Sequence, residues 1–170
     1  MGPRVVLVGP MGSGKSTVAA LVAALLGAPA LDTDAAVEAA AGRTVAEVFA
    51  EAGEAGFRAL ERAAVRAALA SDAVVSLGGG AVLDPATRAD LAAVPVVALA
   101  VSWRCAAPRI GDAASRPLLA GDPRARWEAV QAARAALYRE VADAVVDTDD
   151  RSSERVAAEV LRVLGPPAAG

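Results

Sequence analysis

An α/β domain with a parallel sheet is the fold class this sequence predicts, and three observations predict it. Apolar runs suited to strands recur at residues 5–8, 28–31, 73–77, 94–101 and 144–146, with helical stretches between them. That alternation favours parallel strands joined by crossover helices. The first run leads into GPMGSGKST at residues 9–17, which fits G-x-x-x-x-G-K-[ST] with Gly9, Gly14, Lys15 and Ser16 at the fixed positions. An alanine-rich apolar stretch, 18–26, follows it. Strand, glycine loop and helix in that order is the context in which this motif cradles phosphates.

Composition narrows the class. A chain of 170 residues suits a single domain with a substantial core. The mean hydropathy of +0.42 is high for a soluble protein, but alanine supplies much of it. The longest apolar stretch, 18–31, is broken by Gly27 and Pro29, and it is shorter than the ~18–20 residues a membrane span requires. No basic-then-apolar leader opens the chain. A soluble, cytoplasmic protein with no membrane partner is therefore expected. Net charge is −3 and the isoelectric point about 5.0, which leaves no basic footprint for nucleic acid. Cys105 is the only cysteine, so neither an internal disulfide nor a cysteine-based zinc site can form. Histidine is absent, and proton transfer must rely on a carboxylate, water or the substrate. No feature demands a second subunit, and a monomer is expected.

The glycine loop bends so that several N–H groups share one hollow, with the positive end of the following helix behind them. Lys15 would reach the outer phosphates of a nucleotide, and the Ser16 hydroxyl would ligate Mg2+. Of 17 basic residues Lys15 is the only lysine; a compact ammonium stands here where arginine serves everywhere else. After the second strand comes Asp32-Thr33-Asp34. In extended chain the two carboxylates would face one cleft, one toward Mg2+ and the other toward a substrate hydroxyl. Equally, either could cap the helix starting near Ala35.

Thr44 and Glu47 form a capping-box pattern for a short helix that Gly53 interrupts, and a longer helix is expected over 54–70. On it Glu61 stands three residues from Arg58, close enough to orient it. The pair reads either as a salt-bridged face with Phe57 in the core, or as an anion grip beside Phe49 and Phe57. Gly78-Gly79-Gly80 at the end of the third strand either lets a ligand press on bare main chain or makes a tight turn toward a helix near 85–91. Residues 109–123 read as a mobile loop between two helices. Arg116 in it either closes over a phosphate or is an ordinary exposed arginine, while Arg124 and Arg126 read as surface charge. A helix over 126–142 carries Trp127, Arg134 and Tyr138, and Ser152 or Ser153 caps the last helix, which runs to 164. The loop 147–153, at a strand end, is where an adenine is expected.

GPMGSGKST, LDTD at 31–34, FRALE at 57–61, SLGGGAV at 76–82, SRPLLAG at 115–121 and RAALY at 134–138 occur in an order and spacing that resemble the shikimate kinases over nearly the whole chain. The resemblance implies transfer of the ATP γ-phosphate to the 3-hydroxyl of shikimate, a step toward chorismate and the aromatic amino acids. It implies a P-loop three-layer αβα sandwich with a central five-stranded parallel sheet, similar to nucleoside monophosphate kinases. Its core would span 1–33, 61–108 and 124–165, with a substrate-binding lobe over about 34–60, a lid over about 109–123 and a tail at 166–170. It assigns Asp34 to the reacting hydroxyl, Arg58 and Arg134 to the shikimate carboxylate, and Gly79 and Gly80 to main-chain substrate contacts. ATP contacts fall on Gly12, Ser13, Gly14, Lys15, Ser16, Thr17, Arg109, Arg116 and Arg151, with Lys15, Asp34 and Arg116 catalytic and Ser16 and Asp32 near Mg2+. Three stretches depart from the family pattern: Met11, the WRCAAP run at 103–108, and the loop 149–153, which lacks a proline that often packs on the adenine.

Overall fold

The structure, a computed structural model, describes residues 2–111 and 117–165. Five strands, β1 (Val5–Val8), β2 (Ala30–Asp32), β3 (Val74–Ser76), β4 (Val96–Ala100) and β5 (Ala144–Asp147), form one sheet in the order β2-β3-β1-β4-β5. Every pairing is parallel. The central β1 is buried along its whole length and reads VVLV without alternation, as a strand covered on both faces must. Side chains still alternate sides. Val5 and Leu7 pack with α1 (Lys15–Leu26) and α7 (Ser153–Leu164), whereas Val6 and Val8 pack with Val65 of α3 (Val45–Leu69), Leu91 of α4 (Pro85–Leu91) and Tyr138 of α6 (Pro123–Val141). Truncating the fully buried Leu7 to alanine would cost about 2–5 kcal/mol.

Helix ends explain most boundaries. Helix α1 begins at Lys15, earlier than the apolar run that marks it in the sequence, because Gly14 at φ 83 turns the chain directly into it. No side chain caps that start, so its first-turn N–H groups are available to an anion. The α3 N-terminus carries the expected capping box, with Thr44 Oγ1 accepting from Glu47 N–H and the Glu47 carboxylate accepting from Thr44 N–H. Gly53, at φ 69 and ψ −177, bends α3 where a break was expected. Helix α6 starts at Pro123, three residues before the predicted position, since Asp122 caps it and proline suits the first helical turn. Ser152 caps α7.

Two expectations need correction. Arg109 does not open the loop: α5 (Trp103–Ile110) runs through it, anchored by Ile110, which is buried with Trp127 and Leu119. The extended Asp32-Thr33-Asp34 segment is also absent. Helix α2 (Thr33–Ala41) begins at Thr33, so only Asp32 is extended. Beside the main core, Val37, Val48 and Phe57 make a small separate cluster between α2 and α3.

Candidate active site

One cleft of about 1010 Å³ runs along the carboxyl ends of the strands, where ligands bind in open α/β sheets. It brings together Gly12, Ser13, Gly14, Lys15, Ser16, Thr17, Asp32, Asp34, Arg58, Gly79, Gly80, Arg109, Arg134 and Arg151. Arg116 lies outside the described residues. Arg124 and Arg126 are exposed and outside the cleft, and Arg124 pairs with Glu128.

The glycine loop forms the middle of the cleft. Lys15 Nζ donates to the Gly9 and Pro10 carbonyls at 2.8 and 3.1 Å, folded back over its own loop. Ser16 Oγ donates to Asp32 Oδ2 at 2.5 Å, while Asp32 Oδ1 accepts from the Asp34 and Ala35 N–H groups. Asp32 thus takes the capping job considered for it, and its other oxygen accepts from the Ser16 hydroxyl. Ser13 Oγ is buried with no partner among the described residues.

At one end, Arg109 reaches from α5 to the Gly12 carbonyl and to the hydroxyl and carbonyl of Thr148, each at 3.3 Å. This guanidinium links the phosphate loop to the residues after β5. The divergent stretches meet here. Arg104 pairs through both nitrogens with the carboxylate of Asp150, the only non-glycine at positive φ among the described residues. The Ser102 N–H donates to Asp149. The hydrogen bond and charge of Arg104 hold the Asp150 carboxyl below its ordinary range.

At the other end Glu61 and Arg134 are buried and Arg58 is half-buried. Arg58 donates to Glu61 at 2.7 Å and to Glu54 at 3.2 Å, and its guanidinium carbon lies 5.3 Å from the Phe57 ring centre. Phe57 stacks on Phe49 at 4.6 Å. Salt-bridged face and cleft-lining arginine are therefore the same residue. A Cβ at Gly80 would collide with that guanidinium, and one at Gly78 would lie 2.5 Å from Asp34 Oδ1 and 2.8 Å from Glu61 Oε1. A side chain at either position would have to displace those polar groups. Glu61 is 4% and Arg134 7% exposed. Burial pushes the Glu61 carboxyl above its ordinary value, although the bond and charge of Arg58 pull the other way. For Arg58, burial opposes the charge, but the bonds to Glu61 and Glu54 outweigh it and raise the value.

Four residues that sequence reasoning gave no site role, or only a supporting one, shape this cleft. Thr33 Oγ1 accepts from the Gly78 N–H at 2.9 Å. Tyr138 Oη donates to the Gly79 carbonyl at 2.6 Å, and Trp127 Nε1 donates to the Met11 carbonyl at 2.9 Å. Glu61 appeared only as an orienter of Arg58, yet Asp34 and Arg134 also act on it electrostatically. The usable signal was periodicity: Trp127, Gln131, Arg134 and Tyr138 are spaced four, three and four, one face of α6, and all four line the cleft.

Residues 11–165 match the family model for shikimate kinase. A shikimate kinase of Streptomyces avermitilis is 55% identical over 163 residues, covering 95% of each chain, and one of Streptomyces coelicolor is 51% identical over 160 residues, covering 94% of each. The solved shikimate kinase from Acinetobacter baumannii in complex with shikimate superposes with a TM-score of 0.92 at 32% identity, over 96% of this chain and 93% of that one. The sheet order, the phosphate loop and the Arg58 and Arg134 side chains lining one cleft agree with this: the chain belongs to the shikimate kinase family.

Proposed function

We propose that the cleft transfers the terminal phosphoryl group of ATP to the 3-hydroxyl of shikimate, the reaction of the family to which the chain belongs. The chain is an ATP-dependent phosphotransferase with an alcohol acceptor. One observation carries the assignment of parts: Asp34, Arg58 and Arg134, distant in sequence, surround one glycine turn beside the phosphate loop.

Phosphoryl transfer passes through a loose transition state, so placement and charge neutralisation matter more than a strong base. Arg58 and Arg134 hold the shikimate carboxylate, each contributing roughly 1.5–3 kcal/mol in charge-assisted bonds. Gly79 and Gly80 meet the ring through main chain. Asp34 orients the 3-hydroxyl and accepts its proton late in the transfer. Lys15 swings from the Gly9 and Pro10 carbonyls to the outer phosphates, helped by the Gly12–Thr17 backbone and the uncapped start of α1. Arg109 and Arg151 face the adenine. Arg116 is assigned to the transferring group, where an arginine neutralises developing charge.

The Ser16 hydroxyl and Asp32 carboxylate are adjacent hard oxygens of the kind Mg2+ takes, and Mg2+ ordinarily completes its shell with water and phosphate oxygens. Held by Ser16 and Asp32, it would supply positive charge to neutralise the phosphates. The small cluster of α2 and α3 supports a substrate lobe over about 34–60, and residues 109–123 are assigned to a lid that excludes water. The exposed large apolar side chains among the described residues, Leu25, Leu31, Leu60, Leu83 and Val145, sit on five separate elements, which favours a monomer. Dependence on ATP fits the cytoplasm, and no helix among the described residues is long and apolar enough to cross a membrane.

The test is ADP release with shikimate, gluconate, AMP or CMP offered singly. Turnover with shikimate alone is expected. Release with gluconate or a nucleotide at a comparable rate would overturn the substrate, and ATP binding without release for any acceptor would leave only a nucleotide-binding module.

A further inference from the structure

We propose that Tyr138 is a positioning residue for the acid-binding end of the cleft: its hydroxyl fixes the Gly79 carbonyl and the Arg134 guanidinium as one unit. The proposal rests on the reading that Arg134 and the glycine turn bind the substrate.

The glycine turn has six main-chain polar groups, and four of them are occupied. The Gly78 carbonyl accepts from Ala81 N–H and the Gly80 carbonyl from Leu83 N–H, each at 3.0 Å. The Gly78 N–H donates to Thr33, and the Gly79 carbonyl takes the single proton of Tyr138 at 2.6 Å. The N–H groups of Gly79 and Gly80 remain, with no partner among the described residues. The turn therefore offers a ligand donors only. A carbonyl released into the cleft would instead repel a carboxylate and attract the arginines that should hold it. The Tyr138 hydroxyl prevents that.

Tyr138 also serves Arg134, one helical turn before it. A Cβ built at Gly79 would lie 3.4 Å from Tyr138 Oη and 3.5 Å from Arg134 Nη1, so both polar ends border the same side of the turn. With its proton spent on Gly79, the phenol oxygen presents only lone pairs to the guanidinium. Tyr138 is 4% exposed. Burial raises its titration above the ordinary phenol value, although the charge of Arg134 acts the other way, so the hydroxyl is available as a donor. The ring meanwhile packs in the core beside Val65 and Leu91, which makes phenylalanine a replacement that removes the oxygen alone.

Steady-state kinetics of Tyr138→Phe and Arg134→Ala, side by side, test this. Tyr138→Phe is expected to raise the shikimate KM roughly 3–10-fold, the effect of one lost buried hydrogen bond, with the ATP KM and kcat within about twofold. Equal loss on both substrates, or a fall in thermal stability with unchanged shikimate KM, would reduce Tyr138 to a core residue. If Arg134→Ala raises the shikimate KM and Tyr138→Phe does not, this inference falls and the site assignment stands. If Arg134→Ala has no effect, the assignment itself falls. Tyr138 is the only tyrosine in the chain, so 3-fluorotyrosine incorporation places its fluorine label at this ring alone. Shikimate should shift that label's resonance and ADP alone should not; a signal indifferent to shikimate would overturn the proposal.

Discussion

The two ends of the cleft are built differently. At the acid end, Glu61, Arg134 and Tyr138 are each less than a tenth exposed and are tied to Arg58 and the glycine turn. At the base end, the conspicuous contact is Arg104 with Asp150, whose side chains are 66% and 70% exposed. Both are carboxylate–guanidinium pairs with nitrogen–oxygen distances of 2.7 Å. Water decides their worth. A pair withdrawn from solvent cannot lose one partner without stranding the other, whereas an exposed pair is screened and contributes little. Shape and charge are thus stringent around Arg58 and Arg134, where we propose the acid alcohol binds, and permissive around Arg104 and Asp150. Two of the three departures from the family pattern, at 103–108 and 149–153, fall at the permissive end.

The comparison breaks first at Arg58. Arg58→Ala is expected to raise the shikimate KM roughly 10–100-fold, from the loss of one charge-assisted contact, and to lower stability by leaving Glu61 buried without its main partner. An unchanged KM in initial-rate measurements would return Arg58 to a purely structural pair.

Glu61→Gln sharpens the contrast at intermediate cost. The amide can still accept from Arg58 but carries no charge, so the shikimate KM should rise by less than in Arg58→Ala. The pH dependence carries a sign. Burial raises the Glu61 carboxyl above its ordinary value near 4.5, so between that value and the folded one the native state binds more protons than the unfolded chain. Stability contributed by this group is full below the ordinary value and is lost as pH rises through the folded one. Chemical denaturation of wild type against Glu61→Gln should therefore show the wild type losing ground as pH climbs through that window. A difference that is flat with pH would show that Glu61 does not titrate differently on folding.

The smallest effect belongs to the exposed end. Arg104→Ala should change the ATP KM by no more than about threefold and leave the shikimate KM alone. The difference should shrink further in high salt, where exposed charges are screened. A tenfold rise in the ATP KM would show that the fork braces the base-binding loop and would erase the distinction between the ends.

Much of this was open to reading in the chain itself. The capping box at Thr44, the break at Gly53, the strand runs and the phosphate loop are local codes, and the structure follows them to within a few residues. Asp32 and Asp34 show where local reading stops. Their spacing of two suggested a shared face, but the helix begins between them and gives each a different neighbour: Ser16 for Asp32, and Gly78 and Glu61 for Asp34. Thr33, hidden between two carboxylates, turned out to hold the glycine turn. Tyr138, named in the sequence only as a residue of its helix, is buried in the core, and its hydroxyl donates to the Gly79 carbonyl.

By itself the sequence determined the alternation of strands and helices, the phosphate loop, and which side chains carry usable charge, since each depends on residues a turn or a strand apart. Only the tertiary structure decided which charges meet. Trp127 reaches Met11 across 116 positions, Arg109 reaches Gly12 across 97, and Tyr138 reaches Gly79 across 59. Such partners are selected by how helices settle on a twisted sheet and by which polar groups lose their water there. Local spacing carries neither piece of information.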